Sequence, residues 1–171
     1  MNILKKYAYI LEFLKSINTE VGKTFLQKAM YVLQEGLKEQ LNYSYKLHFY
    51  GPFSQELADD IDALSDMGLI DVEFDPDGYG YKIRITDKGK NFLEILEIRG
   101  IKIEKQKIEK VISLMGNKNV RDMELLGTTL YFSRLTEDEK EIKRLVGMVK
   151  PHFSESQISK ALQKLKEEKI V

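Results

Sequence analysis

Three groups of residues have types and spacings that could do chemistry. Asp71, Glu73, Asp75 and Asp77 are four acids spaced two apart, like the start of a calcium-binding loop. Such a loop needs glycine at its sixth position and glutamate at its twelfth. Counted from Asp71, those positions hold Pro76 and Lys82, so the calcium reading fails. Gly22-Lys23-Thr24 has the composition of the end of a phosphate-binding loop. That loop requires a glycine five positions earlier, where its backbone wraps the phosphates, and the chain has Ile17 there. His48 and His152 are the two histidines, far apart and without a cysteine to join them, which makes a poor zinc set. No Ser–His–acid arrangement follows from the spacing, and no pair stands out among the 27 acids. The reading is a protein that is not an enzyme, with no cofactor and no metal.

The 171 residues suffice for one medium domain, or a small domain with an extension. The apolar fraction is 43%, which supports a packed core and argues against disorder. With no cysteine there are no disulfides and no thiol nucleophile. No apolar run reaches the length of a membrane span, and the start of the chain lacks the apolar core of a signal peptide. A soluble cytoplasmic protein with no membrane contact is expected.

The elements follow from periodicity and punctuation. Leu4, Tyr7, Leu11 and Leu14 form one stripe and predict an amphipathic helix over about 3–16, ended by the polar stretch 16–22. Thr24 is placed to cap a second helix carrying Leu26, Met30, Leu33 and Leu37, which fades near residue 41. Tyr43, Tyr45, Leu47 and Phe49 alternate with Ser44, Lys46 and His48 as a strand, with Gly51-Pro52 breaking it. Ser54 caps a third helix through Leu57, Ile61 and Leu64, and Gly68 stops it. Segments 69–74 and 81–85 alternate as a hairpin, with Pro76 and Gly78 in the turn. Thr86 caps a fourth helix to about 98.

That order reads as mainly α with a small antiparallel β wing, an α+β winged-helix domain over 1–98. Gly100 marks a junction to a helical C-terminal region over 99–171, with helices at about 101–116, 120–134, 137–149 and 155–169. Thr136 with Glu139 predicts a capping box, and Ser154 caps the last helix. The helix over 120–134 is the most apolar and should be the buried centre of this half. Phe53-Ser54 echoes Phe153-Ser154, so the end of the chain could form a second helix-turn-helix that lacks a wing.

Charge decides between partners. The net charge is zero, mildly against a dedicated nucleic-acid binder. The helix before the wing carries Glu56, Asp59, Asp60, Asp62 and Asp66, and the next strand and turn carry Asp71, Glu73, Asp75 and Asp77. From Ser54 to Tyr81 there is no Lys or Arg. That would repel a duplex along the surface a winged helix usually presents to it. Glu56, Asp59, Asp60, Asp62 and Asp66 are therefore candidate contacts for a protein partner. The bases lie later, in a segment over 82–121 and in the last helix. Lys82, Arg84, Lys88 and Lys90 are the alternative candidates for nucleic-acid contact. The basic segment could equally meet the acidic segment of a second copy in a homodimer.

Phe25-Leu-Gln-Lys-Ala-Met-Tyr31, Tyr50-Gly-Pro-Phe-Ser54 and Leu64 through Gly68-Leu-Ile70 resemble the Panacea-domain, SocA-like antitoxins and the related YwgA-like uncharacterised proteins. The resemblance covers about residues 20–98. It implies a helical, winged-helix-like fold, no known catalytic activity, and a role in binding proteins, in some members a toxin. Gln27, Lys28, Tyr31, Tyr50, Gly51 and Pro52 are the characteristic positions it carries over. Their physical reading is local: Gly51-Pro52 fixes a turn, and Gln27, polar on an apolar helix, is placed to bond that turn's backbone. The expected function is a regulatory or antitoxin-like module that binds a protein through its acidic helix and wing. The alternative is a DNA-binding transcription regulator using 82–121 or the C-terminal helix.

Overall fold

The computed structural model describes residues 2–77 and 80–171. Its first helix, α1 (Ile3–Ile17), is capped by Asn2, whose side chain accepts from Leu4 N. Every residue from Ala8 to Leu14 is buried, Glu12 included. The expected one-sided stripe is thus overturned, and α1 is a central helix. The chain covers it from several sides, with α4 (Asp87–Ile98), α5 (Lys105–Met115) and strand β5 (Gly80–Ile85) packed against it.

The stretch after α1 holds a strand that periodicity could not reveal, because it has two residues. This is β1 (Val21–Gly22), which pairs antiparallel with β5, Val21 opposite Ile83. With β4 (Ile70–Asp75) it makes a three-stranded sheet in the order β1-β5-β4. The β4–β5 hairpin is in the expected place; the expected turn residue Gly78 lies outside the described residues.

Helix α2 (Lys23–Tyr31) begins earlier than expected. Its N-cap is Gly22, with no side-chain bond, so Thr24 is not the cap. It continues as a π-helical turn over Val32–Gly36 rather than as regular α-helix. The segment after it is mostly irregular. Only β2 (Lys46–His48) is extended and paired, and its partner is β3 (Gly51–Phe53), with His48 opposite Gly51. Gly51-Pro52 therefore does not end the strand. It starts the return strand of a tight hairpin whose connection is Phe49-Tyr50. The expected inward Phe49 is 90% exposed, because the turn interrupts the alternation.

Helix α3 (Gln55–Asp66) is capped by Ser54 and followed by Gly68 at φ +73°. Thr86 caps α4 by accepting from Gly89 N. Beyond it lie α5, α6 (Val120–Ser133), α7 (Glu139–Val149) and α8 (Glu155–Glu167). The cap of α7 is Asp138 rather than Thr136: Asp138 accepts from Lys140 N and Glu141 N. Ser154 and Gln157 form a capping box on α8.

The junction expected at 98/99 falls between α4 and α5, with core residues on both sides packed in one cluster. Leu93 and Leu96 share it with Ile108, Val111, Leu126 and Leu130. A second, smaller cluster joins Leu125 and Phe132 of α6 to Ile142, Val146, Ile158 and Leu162 of α7 and α8. Helix α6 is thus the central element of the C-terminal part, and it also reaches α2 and β3. The molecule is mainly helical with small antiparallel sheets, and no described helix is long and apolar enough to cross a membrane.

Candidate binding site

The β2–β3 hairpin is held between α2 and α6. Helix α2 supplies Gln27 and Lys28, consecutive residues that are both buried. Gln27 Nε2 donates to Ser54 O, and Ser54 N donates to Gln27 Oε1, each at 2.9 Å. The amide therefore acts as a strand partner for one residue, just past the end of β3. One helical stretch further on, Gln34 repeats the arrangement with Tyr43. Its Nε2 donates to Tyr43 O and its Oε1 accepts from Tyr43 N, again at 2.9 Å. Two glutamines seven positions apart clamp both ends of the irregular segment, which otherwise has few backbone partners.

Lys28 donates to Pro52 O at 2.7 Å. Burial pulls its pKa down to about 8; the Glu124 carboxylate pushes it back up and the Lys150 ammonium adds to the lowering. Lys150 donates to the carbonyls of His48 and Phe49 and pairs with Glu124 at 2.8 Å. His152 Nε2 lies 3.8 Å from the same carboxylate. Two lysines from different parts of the chain thus bind three carbonyls of one hairpin.

Glycine makes the close approach feasible. Gly51 has φ +97°, a conformation that side chains resist, and a Cβ there would sit 3.0 Å from Lys28 Cε. On the facing helix, a Cβ at Gly127 would sit 3.2 Å from Pro52 Cδ and 3.3 Å from Lys28 Cδ.

The result is a hairpin, tied down at three of its carbonyls, that presents Phe49, 90% exposed, and Tyr50, 62% exposed, to solvent. Beside it is a pocket of about 370 Å³, lined by residues of α2, the hairpin and α3. Lys28, Phe49, Tyr50, Phe53, Ile61 and Asp62 are among the lining residues.

The acids of α3 do not form one uniform face. Glu56, Asp59, Asp62 and Asp66 are exposed. Glu56 accepts from Ser44 N at 3.3 Å and lies 4.0 Å from Lys6 Nζ. Asp60 is partly buried and accepts from the Tyr43 hydroxyl at 2.6 Å. Burial raises the Asp60 carboxyl above its ordinary range, against the opposing pull of the Tyr43 bond and Lys6. Among the described residues, no cation pairs with Asp59, Asp62 or Asp66. Asp62 is the acid that reaches the pocket.

On the β4–β5 hairpin, the acids and bases that are separated in sequence meet across the ladder. Asp71 is opposite Arg84 and Glu73 opposite Lys82. Arg84 pairs with Asp71 at 3.2 Å and also nears Glu73 and Glu20, while Lys82 pairs with Asp75 at 3.1 Å. The β4–β5 hairpin is therefore charge-balanced, not uniformly acidic. Lys88 donates to Met67 O at 2.7 Å, at the end of α3, and Lys90 is exposed on α4. Tyr31 is buried against Tyr45, ring centroids 4.8 Å apart. Among the described residues, no three His, Asp or Glu side chains are grouped to hold a metal ion.

No family model matches the chain. The chain is 27% identical over 171 residues to an uncharacterised protein, YwgA, of Bacillus subtilis strain 168, with 99% of each chain covered. That similarity runs from end to end, on both sides of residue 98.

Proposed function

We propose that this chain is a non-enzymatic winged-helix protein of regulatory or antitoxin-like type, which binds a protein partner through the acidic side of α3 and the hairpin tip. The winged-helix reading draws support from the order α1, β1, α2, α3, β4, β5, with β1 closing the sheet on β5. The resemblance of the 25–31 and 50–54 motifs to Panacea-domain antitoxins supports a protein partner.

One observation carries the reading. Phe49 and Tyr50 are exposed on a backbone held by Lys28, Lys150 and Gln27, next to the unpaired Asp62. Exposed aromatic side chains beside a pocket are the kind of residue that can anchor a protein interface. The exposed acids steer a basic partner toward them. The nucleic-acid reading has less support, because Lys82 and Arg84 spend their charge on wing acids.

The test is affinity capture from native lysate, with nuclease, using the wild type and two variants. Phe49→Ser/Tyr50→Ser removes the aromatic pair, and Asp59→Lys/Asp62→Lys reverses the α3 charge. A stoichiometric protein retained by wild type and lost from both variants is the expected result. Retention by both variants would overturn the proposal.

A further inference from the structure

The pocket under the hairpin has a ligand chemistry of its own. Its volume of about 370 Å³ falls in the range of small-molecule sites. His48 and Phe53, both lining it, stack with ring centroids 4.8 Å apart and planes 28° from parallel. Ala58 and Ile61 of α3 add apolar surface. The lining is therefore mostly apolar and aromatic, with a few polar groups.

The polar groups favour an anion. Lys28 lines the pocket while only 2% exposed. Its ammonium has three N–H donors, and among the described residues its hydrogen-bond acceptor is Pro52 O. A buried ammonium with unfilled donors is costly, and an anion in the pocket would supply the missing acceptor. Lys23 and Thr24, in the first turn of α2, also line the pocket. That helix has no side-chain cap, so its first N–H groups add to the positive end. Asp62 is exposed, and the buried Lys28 and Lys150 share the single Glu124 carboxylate, which leaves one positive charge in excess to match one negative charge. A dianion would leave its second charge unmatched beside Asp62.

We propose that this pocket binds a small planar aromatic carboxylate, its ring against the His48–Phe53 stack and its carboxylate on the Lys28 ammonium. The proposal needs no protein partner, so its failure is separable from failure of the partner-binding reading.

The test titrates the purified full chain with 2-naphthoate, with its neutral analogue 2-naphthamide, and with inorganic phosphate, read by amide chemical shifts. Saturable shifts from naphthoate are expected at Thr24, Gln27, Phe49, Gly51 and Ile61. The amide should bind at least about tenfold more weakly, and Lys28→Met should erase that difference. Ala58→Phe, which fills the pocket, should weaken naphthoate by a similar factor, and it decides the matter if Lys28→Met does not fold. Equal binding of acid and amide, shifts confined to other surfaces, or no saturation would overturn the proposal. Phosphate binding as tightly as naphthoate would overturn the aromatic part of it.

Discussion

Gln27 and Ser54, 27 residues apart, exchange two hydrogen bonds through one side-chain amide and one backbone residue, both at 2.9 Å and both buried. The pair ties α2 to the start of α3 and sets where the hairpin between them sits. Replacing Gln27 with leucine keeps the volume and leaves a buried N–H and a buried C=O unpaired. The expected loss is about 2–4 kcal/mol, from one to a few kcal/mol per orphaned group. Urea denaturation of the variant and wild type measures it.

Lys28 predicts a pH dependence of stability. Its folded pKa is lowered to about 8 from an ordinary 10.5, by burial first. The unfolded chain therefore binds the proton more tightly. Its contribution to stability is smallest below pH 8 and grows as pH rises from about 8 toward 10.5, with a slope of at most about 1.4 kcal/mol per pH unit. Buried Tyr9, Tyr31 and Tyr43 have raised values and act in the opposite direction above about pH 10. The window to measure is pH 8 to 9.5. Wild type should gain stability across it relative to Lys28→Met, and equal slopes would contradict the assignment.

Glu124 and Lys150 form a buried ion pair at 2.8 Å that also holds the hairpin. Breaking it from one side strands a charge, so Glu124→Leu or Lys150→Met alone should cost about 3–5 kcal/mol. The double variant should lose much less than the sum of the two. Thermal unfolding of all four proteins in a double-mutant cycle reads the coupling.

Two glycines should respond in opposite directions to alanine. A Cβ at Gly89 would collide with the Leu69 carbonyl and lie 2.8 Å from Ile85, so Gly89→Ala should destabilise by at least about 2 kcal/mol through overpacking. At Gly147, inside α7, the nearest neighbour would be Ile158 at 3.8 Å. Gly147→Ala should stabilise by about 0.5–1 kcal/mol, from helix propensity. Melting temperatures of the two variants test the contrast.

The parts of this architecture that repeat over many residues are legible in the chain itself. Among the described residues, the eight α-helices fall close to where apolar spacing and the caps Ser54, Thr86 and Ser154 put them, as does the β4–β5 hairpin. What periodicity misses is set by long-range contacts. Two-residue β1 has no period, and it is a strand because β5 lies beside it. Phe49 reads as inward by alternation, but the hairpin turns there. The cap of α7 shifts from Thr136 to Asp138, a choice between two good capping residues that spacing alone does not make.

The candidate site was partly legible. The Gln27, Lys28 and Tyr50-Gly51-Pro52 motif pieces all meet at the hairpin. Lys150 and Glu124 gave no local signal, because their role depends on α6 and α7 folding back onto residues about 100 positions earlier. The separation of acids from bases along the β4–β5 segment suggested one acidic face, yet the antiparallel register sets them opposite each other.

The most direct measurement of the central claim is photo-crosslinking in cells, with p-benzoylphenylalanine placed singly at positions 49, 62, 98 and 148. Phe49 and Asp62 lie in the proposed binding surface, whereas Ile98 and Met148 are exposed apolar positions on α4 and α7. The account predicts that positions 49 and 62 yield adducts with one and the same protein, and that 98 and 148 do not. Adducts from 98 or 148 with none from 49 and 62 would contradict it.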